Sequence, residues 1–222
     1  RFQHVTWLGQ AFAFSGEEKY AAEFVQQVDD WIEHNPVEKG VNWVCPMDVG
    51  IRVVNWVWAY YFFYKSSSLS PSFQQRFIAS LSVHGQFIRA NLEKTGKYAG
   101  NHYLANLVAL FYLGMLFPEC SHAVEWERFA RQELELEITQ QFLDDGVNFE
   151  GSVNYHRLSM EFVLSCCVLA RKSQRPFSQQ FEARVELMVA YVAALIRDDG
   201  TVPLMGDCDS GRLYRLRPWL GD

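Results

Sequence analysis

The chain lacks the short signatures that announce many enzyme classes. It has no CxxC pair, no P-loop and no GxGxxG. Disulfide-relay, nucleotide-phosphate and dinucleotide chemistry lose their usual motifs. Positive charge is also scarce: the net charge is −6 and the pI about 5.5. That argues against general nucleic-acid binding, which shows a basic surplus. An acidic substrate stays open, because a local Arg/His/Asn pocket can hold an anion within an acidic protein. The most apolar run, Val53 to Tyr64, is too short for a membrane span. The chain begins Arg1-Phe2-Gln3 without Met, so targeting information is not legible. The five cysteines are odd in number, and Cys166-Cys167 lie in an apolar helix segment. They read as buried small apolar residues rather than a disulfide or metal framework, and no metal or cofactor is expected.

What is present is core material: 49% apolar and 15% aromatic residues in 222, enough for one large domain. Helical periodicity predicts segments at 17–34, 47–65, 71–93, 104–117, 121–142, 155–172 and 178–197. Residues 1–15 read as aromatic and irregular, or as the end of a helix. Ser70-Pro71 has the N-cap and first-turn residues of a helix start. No strand pattern stands out before residue 200, and 201–222 reads as an extended, turn-rich tail. Mostly apolar segments (47–65, 104–117, 155–172) alternate with amphipathic ones (71–93, 121–142, 178–197). That alternation predicts an all-α fold of antiparallel hairpins, apolar helices inside and amphipathic ones outside, curling into an incomplete (α/α) toroid.

Each apolar helix follows an elaborated loop: 42–46, 97–103 and 145–155. Such loops would share one rim around a groove. The longest runs Asp144 to His156, where Asp145-Gly146 supplies the turn. The rest of it carries Phe149, Glu150, Asn154, Tyr155 and His156, more chemistry than a connector needs. Asn101 and His102 stand at the equivalent place one hairpin earlier. Asn101 alone would read as an N-cap. Ser152 lacks a nucleophile-elbow context. Neither His102 nor His156 has an HxxxH or HxxE partner, and no cysteine is placed to help them bind zinc. His84 reads as a satisfied core or rim histidine. Arg52, the one interior charge of its helix, must be paired or must line a cavity; a structural salt bridge and a substrate-facing role both remain open. The residue types at the rim fit β-elimination from a uronic-acid polysaccharide. There an amide at a helix N-terminus can hold the carboxylate and favour the enolate-like state, while a Tyr or His moves the protons.

Arg52-Val53-Val54-Asn55-Trp56, Gly100-Asn101-His102-Tyr103-Leu104 and the series Asp145-Gly146, Glu150-Gly151-Ser152, Tyr155-His156 together resemble the helical domain of heparinase II/III-type polysaccharide lyases. Pro203-Leu204-Met205-Gly206-Asp207-Cys208-Asp209 resembles the exit of that domain. The resemblance implies a toroid over 1–200, a groove for acidic glycans and metal-independent cleavage in a periplasmic or secreted enzyme. It makes Asn101 the group that neutralises the uronate carboxylate and Tyr155 the catalytic acid or base. Some relatives carry His where Asn101 falls, so His102 is expected to contact substrate. Glu150, His156 and Arg52 match family positions near the groove, and Asn42 and Trp43 join them from the first rim loop. Family enzymes continue into a β-sandwich that supplies a further catalytic histidine. Residues 201–222 would lead toward that domain, and the chain by itself is expected to be poorly active.

Two other readings compete. A glycoside hydrolase needs two carboxylates across a groove, and Glu150 with Asp207 or Asp145 are the candidates. A non-catalytic glycan-binding module needs neither. The rim loops offer few cations (Lys39, Lys94, Lys97), which favours a carboxylated glycan with little or no sulfate over a densely sulfated one.

Overall fold

The computed structural model describes residues 1–94, 99–209 and 211–216. Thr95 to Tyr98 (hence Lys97), Ser210 and residues 217–222 lie outside the described residues. Eight helices follow one another: α1 (Val5–Ser15), α2 (Lys19–His34), α3 (Pro46–Phe63), α4 (Pro71–Ala90), α5 (Asn101–Leu116), α6 (Ala123–Gln140), α7 (Val153–Lys172) and α8 (Gln179–Leu195). A single 3₁₀ turn, Val41–Trp43, precedes α3. The only extended pairing among the described residues is one bridge, Phe142 to Asn148.

The all-α expectation holds, and the N-terminal stretch adds a helix to it. α1 lacks a side-chain cap but is closed by Gly16, whose left-handed φ of 69° lets its N–H reach Phe12 O. Elsewhere the caps follow the sequence: Ser70 Oγ accepts from Phe73 N, Ser152 Oγ from Tyr155 N and Ser178 Oγ from Phe181 N. α1, α3, α5 and α7 pack side by side as an inner layer, and each is backed by its hairpin partner α2, α4, α6 or α8. The composition explains the layering. Every residue of α5 from Tyr103 to Leu113 is buried, which suits a helix covered on all sides. α2 buries only Ala21, Phe24 and Val28, as one apolar stripe does. Each large apolar side chain removed from water is worth about 1.5–3 kcal/mol, so α3 and α5 dominate the core. Gly50 permits their contact, since a Cβ there would stand 2.8 Å from Ala105 O.

The tail after α8 runs back through the body. Met205 O accepts from Val153 N at 3.0 Å at the start of α7. Farther on, Leu213 is fully buried, with its carbonyl accepting from Asn55 Nδ2 of α3 at 2.8 Å. Arg215 O accepts from Thr6 Oγ1 of α1 at 2.9 Å. An irregular segment is tolerated inside because its backbone groups find such partners. None of the described helices is long and apolar enough to cross a membrane.

Candidate active site

The loop between α6 and α7 folds into a tight reversal. Leu143 and Gly146 close the turn, Gly146 takes a φ of 86°, and Asp145 Oδ1 accepts from Val147 N at 3.0 Å. Asn148 Oδ1 then accepts from Glu150 N at 3.0 Å. His156 lies beneath this reversal, 1% exposed. Its Nδ1 accepts from Asn148 N at 3.1 Å and its Nε2 stands 3.1 Å from Met188 O. Those contacts define a neutral ring protonated at Nε2, and burial lowers its pKa. His156 was expected to touch substrate; it is instead the post that pins the loop to α8.

Pinned in this way, the loop delivers Glu150 to the start of α5. Glu150 Oε1 accepts from Asn101 N and Oε2 from Asn101 Nδ2, each at 2.9 Å. The two loops that the sequence pairs are thus joined across 49 positions. Asn101 is the first residue of α5 rather than its cap; Gly100 is the N-cap and offers no side chain. The anion at this helix N-terminus is Glu150 itself. Both oxygens of Glu150 are engaged, and Asn101 keeps a second amide N–H and its Oδ1 for another partner.

Tyr155 follows in the first turn of α7. Its hydroxyl makes no hydrogen bond to a described residue. Loss of solvent raises its pKa, and the anions Asp209, Asp207 and Glu150 raise it further. The tail brings the two aspartates close: Ser152 Oγ donates to Asp207 O at 2.6 Å. Gly206 has no room for a Cβ, which would sit 2.7 Å from Gly151 O. The phenol is therefore held in its protonated, donor-competent form.

Beside Asn101, His102 projects toward solvent. Its Nδ1 lies 2.8 Å from Glu93 Oε1, and Cys45 Sγ lies 3.8 Å from the same oxygen. Cys45 first and Glu93 second push the imidazole's pKa up to about 10. A cysteine does stand beside this histidine, contrary to the sequence reading. It comes from the residue before α3, and Glu93 reaches it because α4 stops at Ala90 instead of running to 93.

Arg52, Asn42 and Trp43 form a different kind of cluster. Arg52 is 2% exposed and makes no ion pair with a carboxylate among the described residues. Its Nε donates to His84 Nε2 at 3.1 Å and its Nη1 to Asn42 O at 3.2 Å. Trp31 and Trp43 flank the guanidinium with ring centroids at 4.2 and 5.2 Å. Burial pushes the pKa of Arg52 down to about 9, still cationic at neutral pH, and that of His84 down to about 3. A neutral His84 can accept from Arg52 while its Nδ1 meets Ser80 O at 2.7 Å. His84 is the satisfied core histidine foreseen. Arg52 is neither a salt bridge nor groove-facing, and Trp43, 4% exposed, is core. Asn42 stays at the surface, with its Nδ2 bonded to Asn35 Oδ1 at 2.6 Å.

A cavity of about 1750 Å³ lies between the inner helices and the tail and is lined by none of these residues. Trp58, Tyr112, Glu161 and Tyr214 are on its wall. Burial pushes the Glu161 carboxyl up to about 7, against a hydrogen bond from Leu213 N at 2.8 Å. Sequence reasoning missed Glu161, Glu93 and Cys45. Glu93 read as an ordinary charge closing an amphipathic segment, Glu161 was a lone acid in a mostly apolar one, and nothing local marked Cys45.

Comparisons with known proteins bear on the fold and the family. Residues 1–217 match the family model described as heparinase II/III N-terminus. A heparin-sulfate lyase of Bacteroides stercoris is 27% identical, over 93% of this chain and 34% of its own length. One of Pedobacter heparinus is 28% identical, over 90% of this chain and 31% of its own length. The chain thus spans about a third of the curated relatives it matches. The crystal structure of heparan sulfate lyase HepC from Pedobacter heparinus superimposes with a TM-score of 0.69 at 25% identity, covering 88% of this chain and 31% of that one. With that fold and a match over nearly its whole length, the chain belongs to the heparinase II/III N-terminus family.

Proposed function

We propose that this chain is the helical part of a polysaccharide lyase that cleaves uronic-acid glycans by β-elimination. The observation that carries the reading is the grip of Glu150 on Asn101. It orients an amide at a helix start while the same loop sets Tyr155 in the adjoining turn. The free amide N–H of Asn101 would hold the uronate carboxylate and favour the enolate-like state. The C5–H bond breaks, its electron pair forms the C4–C5 double bond, and the C4–O bond breaks. Tyr155 would donate its phenolic proton to the departing oxygen; the anions around it support an acid role over a base role. The base for the C5 proton would come from the longer protein, as would the β-sandwich that the resemblance implies.

Relatives named heparin-sulfate lyases make a glycosaminoglycan the favoured class. Sparse sulfation is supported by the charge at the rim. Lys94 is already bonded to Glu133 at 2.7 Å and Glu137 at 3.3 Å, and Tyr155 is ringed by acids. A polymeric substrate places the reaction in the periplasm or outside the cell. The hydrolase alternative loses support because both oxygens of Glu150 are committed to Asn101.

The test is incubation of the full-length protein with uronate glycans, sulfated and unsulfated, while following ultraviolet absorbance of unsaturated uronates. Absorbance that disappears in Asn101→Ala and Tyr155→Phe supports the lyase. New reducing ends without unsaturation indicate hydrolysis, and binding without cleavage indicates a glycan-binding module.

A further inference from the structure

Three segments that meet at the rim each bring one potential ligand atom to a common point. Cys45 precedes α3, Glu93 follows α4, and His102 lies in the first turn of α5. The thiol sulfur, one carboxylate oxygen and one ring nitrogen lie within 4.8 Å of one another. We propose that Cys45, Glu93 and His102 form a binding site for one divalent transition metal of the zinc class, separate from the elimination chemistry.

The donor set selects the ion. Thiolate, imidazole and carboxylate together suit zinc and its neighbours, whereas calcium and magnesium prefer all-oxygen shells. The separations are near those required. Metal–ligand bonds of about 2.0–2.3 Å in a tetrahedron place ligand atoms roughly 3.4–3.6 Å apart. Here sulfur and oxygen are 3.8 Å apart and nitrogen and oxygen 2.8 Å, the latter shortened by a shared proton that a metal would replace.

The carboxylate is also held as metal ligands are held. Glu93 Oε2 accepts from Asn106 Nδ2 at 3.0 Å, and Glu93 N donates to Asn106 Oδ1 at 2.8 Å. Asn106 is fully buried in α5. Its double contact fixes the carboxylate and turns Oε1 toward His102 and Cys45, as outer-shell partners do. A simple ion pair would use only His102 and Glu93; it gives no part to a reduced cysteine at the same point. With His102 exposed, a fourth position opens to solvent. A bound ion would tie together the entrances of α3 and α5 and the exit of α4.

The experiment uses metal-free full-length protein titrated with cobalt(II). One equivalent is expected to produce thiolate-to-cobalt charge-transfer absorbance with four-coordinate ligand-field bands, and zinc should displace it. Cys45→Ser should abolish the charge-transfer band. His102→Ala and Glu93→Gln should each weaken binding at least about tenfold, and Asn106→Ala about tenfold through loss of the outer-shell contact. Circular dichroism of each variant separates lost ligation from lost folding. A zinc-dependent rise in melting temperature present in the parent and absent in Cys45→Ser is the second readout. The proposal is overturned if no saturable uptake occurs, or if the band survives Cys45→Ser, as it would if the ligand were Cys208, the exposed thiol. None of these measurements uses lyase activity, so failure of the lyase reading leaves the outcome intact.

Discussion

Two clusters of polar and aromatic side chains in this molecule have opposite fates. Around Arg52 an Asn, a His, two Trp and an Arg close on one another, with the guanidinium buried between indole faces. Around Asn101, Glu150 accepts twice from the asparagine and Ser152 Oγ accepts from Tyr155 N, yet the tyrosine hydroxyl is left unengaged by the described residues. The first cluster uses its polar groups to hold a buried cation through Nε and Nη1, while Arg52 Nη2 is enclosed without a hydrogen bond to a described residue. The second uses Glu150 and His156 to hold Asn101 and Tyr155 still while leaving donors over. A leftover donor can do chemistry at the helix starts of the rim but not where indole faces enclose it, and residue type alone does not distinguish the two.

The largest expected effect tests the second cluster. Tyr155→Phe or Asn101→Ala in the full-length protein should lower kcat roughly 10²–10⁴-fold. The phenylalanine variant should keep the parental melting temperature, because its hydroxyl supports no described contact. Retained turnover in Tyr155→Phe would end the comparison. Next, Arg52→Met should cost about 2–4 kcal/mol in urea unfolding, since it strands the Asn42 carbonyl and His84. Activity per folded molecule should stay near that of the parent. Arg52→Lys should not restore stability, because an ammonium cannot reproduce the planar fork between two indoles. A loss of kcat at unchanged stability would move Arg52 into the site.

A smaller effect concerns the carboxyl on the cavity wall. The Glu161 pKa is raised in the folded state, to about 7 from 4.5. The folded protein therefore binds this proton more tightly than the unfolded chain does. Stability should be greatest below pH 4.5 and fall as pH rises through 7, by at most roughly 3 kcal/mol. Glu161→Gln should flatten that dependence, as unfolding at pH 5 and pH 8 would report. The smallest effect is on Tyr155 itself. Glu150→Gln removes one of the anions that raise the phenol's pKa. The alkaline limb of the pH–rate profile should then shift to lower pH. A shift to higher pH would contradict the acid role.

Much of this was legible in the chain. The seven periodic segments, the cap at Ser70 and the turn at Asp145-Gly146 all depend on neighbours a few residues away, and all appear where the pattern puts them. The pairing of the Asn101 loop with the Glu150 loop was legible too, because alternating inner and outer helices place their starts on one rim. α1 escaped because a short aromatic helix without a capping side chain has a weak local signal.

What the sequence by itself determined, then, is the order of the helices, their layering and the residue types gathered at the rim, since periodicity and capping are local properties. Only the tertiary structure decided which of those residues face the groove. Burial of Arg52, Trp43 and His156 rests on Trp31, His84, Asn148 and Met188, partners up to 41 positions away. The meeting of Cys45, Glu93 and His102 depends on where α4 ends and how the chain returns. Those are long-range packing outcomes, and no short window of sequence contains them.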